Sequence, residues 1–190
     1  MPKQIIYGES NYATIVDKNG YFVDKTSYIA KLEQIANPIF LRPRRFGKSY
    51  FCSLLRYYYD LNYVDQFDYL FGETWIGQNP TPHHNEYMVI SFNFSLVDVG
   101  KTVASIESSF KNHCNDLLDG LRVEYASFLG DMPELDQTNP VSDNLVKVLQ
   151  YIRRHRLPQV YVIIDEYDNF ANQLITRNQD VLYDELTNDD

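Results

Sequence analysis

The amino-acid sequence predicts an α/β fold, a three-layer sandwich with a mainly parallel sheet. Short apolar runs bounded by turn residues occur at Ile39-Phe40-Leu41 and at residues 159–164, as expected of strands buried on both faces. An alternating segment at residues 87–94 adds a third strand. Stretches of helical periodicity separate the three, and helices alternating with apolar strands favour parallel pairing through right-handed crossovers.

Residues 21–26 (Tyr-Phe-Val-Asp-Lys-Thr) read as a short extended piece, with Ser27 as the cap of a helix running to about Ile35. Asn37-Pro38 is a turn signal, and the 39–41 run follows it. The chain then passes through Arg42-Pro43-Arg44-Arg45-Phe46-Gly47-Lys48-Ser49 into a helix from Lys48 to about Leu61. The apolar positions of that helix, Phe51, Leu54, Leu55, Tyr58 and Leu61, recur at helical spacing. Pro80 to Asn85 is a surface loop whose adjacent His83 and His84, with no third metal ligand nearby, read as a solvated pair. In the 87–94 strand, Met88, Ile90, Phe92 and Phe94 share a face. A long helix is predicted from about Thr102 to Leu129 through Val103, Ile106, Phe110, Leu117, Leu118 and Leu121, and residues 130–140 break it. A shorter helix from about Ser142 to His155 leads into the 159–164 strand, which ends at Asp165-Glu166.

A chain of 190 residues, 44% hydrophobic and 15% aromatic, can bury about 70% of its unfolded surface, so one globular domain over residues 1–190 is expected. It contains no apolar run long enough to span a membrane, and Met1-Pro2-Lys3-Gln4 lacks the pattern of a secretion signal. A soluble, cytoplasmic protein with no membrane partner is therefore expected. The net charge of -9 opposes nonspecific attraction to nucleic acid or anionic membrane, both of which need a cationic face. The basic residues cluster locally, as Arg42, Arg44, Arg45 and Lys48, and as Arg153, Arg154, His155 and Arg156. The second cluster suits a helix C-terminus. Cys52 and Cys114 lie far apart without a CxxC pattern and read as small core residues.

The first basic cluster carries chemistry. Gly47-Lys48-Ser49 has the order of a phosphate-binding loop: backbone N–H groups at a helix N-terminus curl round phosphate oxygens, the glycine admits close approach, the lysine reaches the β- and γ-phosphates and the serine hydroxyl ligates magnesium. Gly-Lys-[Ser/Thr] alone arises by chance in roughly one chain in ten of this length, so its predicted position between strand and helix matters. The full pattern opens with glycine, where this chain has Arg42. The candidate nucleotide contacts are Arg44, Arg45, Phe46, Gly47, Lys48, Ser49 and Tyr50. The guanidinium groups of Arg44 and Arg45 either grip phosphate or pair with acids such as Asp24 or Asp168 to brace the loop.

The second element is Val160-Tyr161-Val162-Ile163-Ile164-Asp165-Glu166, an apolar strand delivering two carboxylates at its C-terminal edge, where ligands bind in open α/β sheets. Asp165 is the candidate magnesium residue with Ser49, and Glu166 the candidate base for an attacking water, with Lys48 as its catalytic companion. ATP is favoured over GTP because Asn-Lys-x-Asp is absent from the sequence.

Together, the Arg42 to Ser49 run, Tyr21-Phe22-Val23-Asp24-Lys25-Thr26 and Ile163-Ile164-Asp165-Glu166-Tyr167-Asp168 make the sequence similar to the bacterial AAA-ATPase-like family, over about Gly8 to the C-terminus. Arg-Pro-Arg-Arg-Phe-Gly-Lys-Ser in place of a glycine-led loop is typical there. The resemblance implies a P-loop fold, ATP and Mg2+ as cofactors, ATP hydrolysis, and a nuclease-like C-terminal region in many members. It also implies that residues 21–26 touch adenine, with Tyr21 or Phe22 stacking on the base. Such domains continue past the Asp-Glu strand to a sensor strand, and nothing after Glu166 reads as one, so the sequence is expected to stop short of the whole domain. A P-loop phosphotransferase and a nucleotide-holding scaffold without turnover stay open as alternatives, as does oligomerisation.

Overall fold

The computed structural model describes residues 3–41, 46–98, 102–167 and 172. Its contacts cluster into two compact units, Met1–Val89 and Ile90–Asp190.

In the first unit, α1 spans Tyr12–Asp17, α2 Ser27–Leu32, α3 Lys48–Tyr59, α4 Phe67–Phe71 and α5 Trp75–Gln78, with a 3-10 helix at Leu61–Gln66. The core is aromatic. Tyr12, Tyr58 and Phe71 are fully buried, Tyr12 stacks on Phe71 at 5.0 Å, and Tyr58 meets Phe71 edge-on at 5.6 Å between centroids. Burying a phenol needs a partner for its hydroxyl, and Tyr12 donates to the Leu70 carbonyl. The helical periodicity of α3 holds as expected: Phe51, Leu54, Leu55, Tyr58 and Leu61 are all buried. The α4–α5 corner requires glycine at 77, because an added Cβ would lie 1.8 Å from the Phe71 carbonyl oxygen.

Helix ends leave carbonyls without intrahelical partners. At the C-terminus of α3, Tyr58 and Tyr59 carbonyls accept from the Asn85 and Tyr87 N–H groups at 2.8 and 2.9 Å, and the Asn85 side chain donates to the Asp60 carbonyl at 2.7 Å. The histidine loop is therefore part of the fold. His83 is exposed beside Glu86, but His84 is half-buried against Phe67, 4.6 Å between rings, which corrects its reading as a solvated residue.

One expected element is absent. Ile39-Phe40-Leu41 forms no strand: Ile39 is 79% and Leu41 74% exposed, and only Phe40 is anchored, on Phe51 at 5.4 Å. An apolar run becomes a strand only when a neighbouring strand takes up its N–H and C=O groups, and none does so among the described residues. The helix expected at 27–35 ends at Leu32, with Thr26 rather than Ser27 at its N-cap.

The strands β1 (Met88–Asn93) and β2 (Val160–Asp165) form a two-stranded parallel sheet. They are joined by α6 (Val103–Glu124), α7 (Ala126–Leu129) and α8 (Val141–His155), the helical crossover that parallel pairing demands. This supports the predicted α/β class. Val89 is buried as well as Met88, Ile90 and Phe92, so both faces of the first half of β1 are covered, and Phe94 starts a 3-10 turn instead of continuing the strand. In β2 only Ile163 is buried, while Val162 and Ile164 are about half exposed at 48% and 51%. The long helix is interrupted at Tyr125. It begins in a reciprocal capping box, with Ser105 N–H donating to Thr102 Oγ1 at 3.2 Å and Thr102 N–H donating to Ser105 Oγ at 3.3 Å.

Helices α6 and α8 pack through a buried pair, Asn115 and Asn144, both 0% exposed. Asn144 Nδ2 donates to Asn115 Oδ1 at 3.1 Å and to the Asp136 carbonyl at 2.8 Å, while Asn115 Nδ2 donates to the Asn139 carbonyl at 3.0 Å. The basic cluster at 153–156 occupies the C-terminus of α8, as its sequence suggests. Cys114 is buried, and burial pushes its thiol up to about 11; Cys52 is half-buried. No helix among the described residues is long and apolar enough to cross a membrane. Asn144→Ala strips the donor from the buried Asn115 oxygen and from the partly buried Asp136 carbonyl, so it should cost about 2 kcal/mol in denaturant unfolding.

Candidate functional site

The head of α3 is set by one backbone angle. Gly47 is its N-cap and adopts the left-handed conformation, with φ 77° and ψ 30°. An added Cβ there meets nothing within 4 Å among the described residues, so glycine is required for its dihedral angles. Lys48 and Ser49 open the helix and Tyr50 follows in the first turn. Phe46, just before it, is 63% exposed. Of the other predicted loop contacts, Arg44 and Arg45 lie outside the described residues, as do Arg42 and Asp168.

Beside Gly47 lies a cavity of about 290 Å³. Its walls are mostly aromatic and include Tyr21, Phe22, Tyr28, Phe40, Phe46 and Tyr50. The structure thus brings Tyr21, Phe22, Val23 and Lys25 to one cavity with Gly47 and Tyr50 at the start of α3. Tyr28, Phe40 and Glu9 join them without any periodic signal in the sequence, because their convergence is tertiary.

Residues 21–25 belong to no helix or strand, and Thr26 begins the turn into α2. Tyr21, Val23 and Lys25 are exposed, Tyr21 at 65% and Val23 at 63%. The intervening residues are anchored. Phe22 meets Tyr12 edge-on at 5.8 Å and lies under the Lys3 ammonium at 5.5 Å. The Asp24 carboxylate accepts from Thr26 N–H at 2.8 Å and from Trp75 N–H at 2.7 Å, and fully buried Thr26 accepts from Ile76 N–H through its hydroxyl at 3.0 Å. Asp24 and Thr26 therefore tie the segment to the first turn of α5. Of the two candidate stacking residues, Phe22 is half-buried and packs on Tyr12, Tyr21 is exposed, and both line the cavity.

Partial burial of Asp24 disfavours its charge, but the hydrogen bonds from the Thr26 backbone and hydroxyl and from the Trp75 backbone outweigh it and hold the carboxyl below its ordinary range. The Tyr50 hydroxyl is buried without a hydrogen-bond partner. Burial, then the neighbouring Asp24 charge, pushes that phenol well above its usual pKa, so it stays protonated.

In the second unit, Asp165 closes β2 and Glu166 follows with φ 55°. A left-handed conformation is costly for glutamate. It is held in part by Glu166 N–H donating to Asp165 Oδ1 at 2.9 Å. The turn leaves the two carboxylates adjacent and half-buried at the strand's C-terminal edge.

A family model described as "Predicted AAA-ATPase", for the AAA-ATPase-like family, matches residues 6–189. No curated protein and no solved structure matches the chain.

Because the pKa of Asp24 is depressed on folding, its stabilisation is complete above the unfolded carboxyl's value of about 3.9 and is lost as pH falls through the lower folded value. Asp24→Ala should lower stability by about 1 kcal/mol at neutral pH, a modest figure because solvent screens this carboxylate. The gap between variant and parent should narrow below about pH 4 in thermal melts.

Proposed function

Because the chain belongs to the predicted AAA-ATPase family, we propose that it binds ATP at the head of α3 and that the protein hydrolyses it with magnesium. The observation that carries this reading is the left-handed Gly47 at the N-terminus of a 12-residue helix, bordering a cavity walled by aromatic rings. A helix N-terminus presents N–H groups and positive dipole charge to an anion, and aromatic faces accept a nucleobase. The cavity is of a size for base and sugar, which directs the phosphates outward over Gly47.

In this reading the backbone of Gly47, Lys48 and Ser49 cradles the phosphates, with Arg44, Arg45, Phe46 and Tyr50 completing the loop. The Lys48 ammonium binds the outer phosphates, and Tyr21 stacks on adenine. Magnesium, when bound, neutralises charge on the phosphate oxygens. The Ser49 hydroxyl and the Asp165 carboxylate are each a hard oxygen donor of the kind magnesium takes. Glu166 takes the proton of the attacking water, and its strained turn supports that role, since such strain gathers at functional sites. The P-loop sandwich, a cytoplasmic setting and a nuclease-like region further along the chain belong to the same proposal.

Calorimetry on the Lys48→Ala variant should show Mg-ATP affinity reduced by about 100-fold, the scale of lost charge-assisted contacts. Unchanged affinity would remove Lys48 from the site. Glu166→Gln should retain ATP while phosphate release falls about 10²-fold or more; release at the parent rate would mean that another group is the base. A protein that binds ATP and releases no phosphate in either form is the scaffold of the alternative reading.

A further inference from the structure

We propose that Lys25 is a second cationic contact to the phosphates of the bound nucleotide, an inference that rests on the ATP-binding reading of this cavity. Lys25 lines the same cavity as Gly47. It is exposed and makes no ion pair among the described residues. The nearest acid in sequence, Asp24, has both carboxylate oxygens engaged, one by Thr26 N–H and the other by Trp75 N–H. It is therefore turned to the backbone of α5 rather than to the lysine.

The placement of Lys25 follows from its neighbours. Asp24 on one side and Thr26 on the other are both hydrogen-bonded to the first turn of α5, at Trp75 and Ile76. Lys25 sits between these two anchors and lines the cavity with Tyr21, Phe22 and Val23. Asp-Lys-Thr is thus an anchored tripeptide whose central cation is held at the cavity wall while its four-carbon stem stays free to reach. Ammonium groups seek anions, and the anionic part of a nucleotide is its phosphate chain. With the base among the aromatic rings, the phosphates lie at the Gly47 end, within the compass of that stem. Lysine acts there as a point charge and not as a planar fork, so it tolerates the differing positions of ATP and ADP oxygens.

The test compares the full chain with Lys25→Gln by calorimetry against Mg-ATP and adenosine, together with thermal melting. Lys25→Gln should weaken ATP by about 5- to 20-fold, as expected of a charge-assisted contact at a partly exposed site. Adenosine affinity and melting temperature should stay at the parent values, and the ATP deficit should shrink as salt screens the parent's extra contact. Unchanged ATP affinity overturns the proposal, and so does a loss shared equally by adenosine or accompanied by earlier melting, which would make Lys25 a structural or base-side residue. Failure of the parent itself to bind ATP overturns the nucleotide reading, and this contact with it.

Discussion

A helix cannot satisfy its own ends, and much of the first unit is arranged around how α3 meets that constraint. At its C-terminus the problem is solved within the chain. The 85–87 segment returns N–H donors to the Tyr58 and Tyr59 carbonyls, and Asn85 adds a side-chain donor. At its N-terminus the cap is Gly47, which has no side chain to offer. The described chain supplies donors to one end of α3, and at the other end Gly47 borders the aromatic cavity.

The segment before α2 shows how a few hydrogen bonds divide labour along six residues. Phe22, Asp24 and Thr26 are spent on holding position, against Tyr12 and the first turn of α5. Tyr21, Val23 and Lys25 are left facing the cavity.

What the sequence discloses is what depends on local pattern. The core face of α3 is legible because five apolar residues at helical spacing need only one buried side to explain them. The end of β2 at Asp165 is legible for the same reason. Ile39-Phe40-Leu41 misleads because three apolar residues say nothing of whether a neighbouring strand exists, and Phe40 is used instead as a ring against Phe51. The choice between Tyr21 and Phe22 cannot be read from adjacency, since it is made by Tyr12, which stands ten residues upstream and is buried by α3 and α4 contacts of its own. One oxygen of Asp24 accepts from the Thr26 N–H nearby and the other from the Trp75 N–H some fifty residues away, a long-range contact that no local pattern announces. Glu9, Tyr28 and Phe40 reach the cavity only through folding.

Gly77 has no part in the cavity, yet it governs it at a distance. Its Cα packs so closely on the Phe71 carbonyl that any side chain would force α4 and α5 apart. The two N–H groups that hold Asp24 and Thr26 belong to Trp75 and Ile76, in the same four-residue helix. A methyl group at position 77 would thus act as a wedge whose displacement is passed through α5 to the wall of the cavity. Loss of ligand binding from a substitution there would be a mechanical fault in the mounting, with every contacting residue still in place.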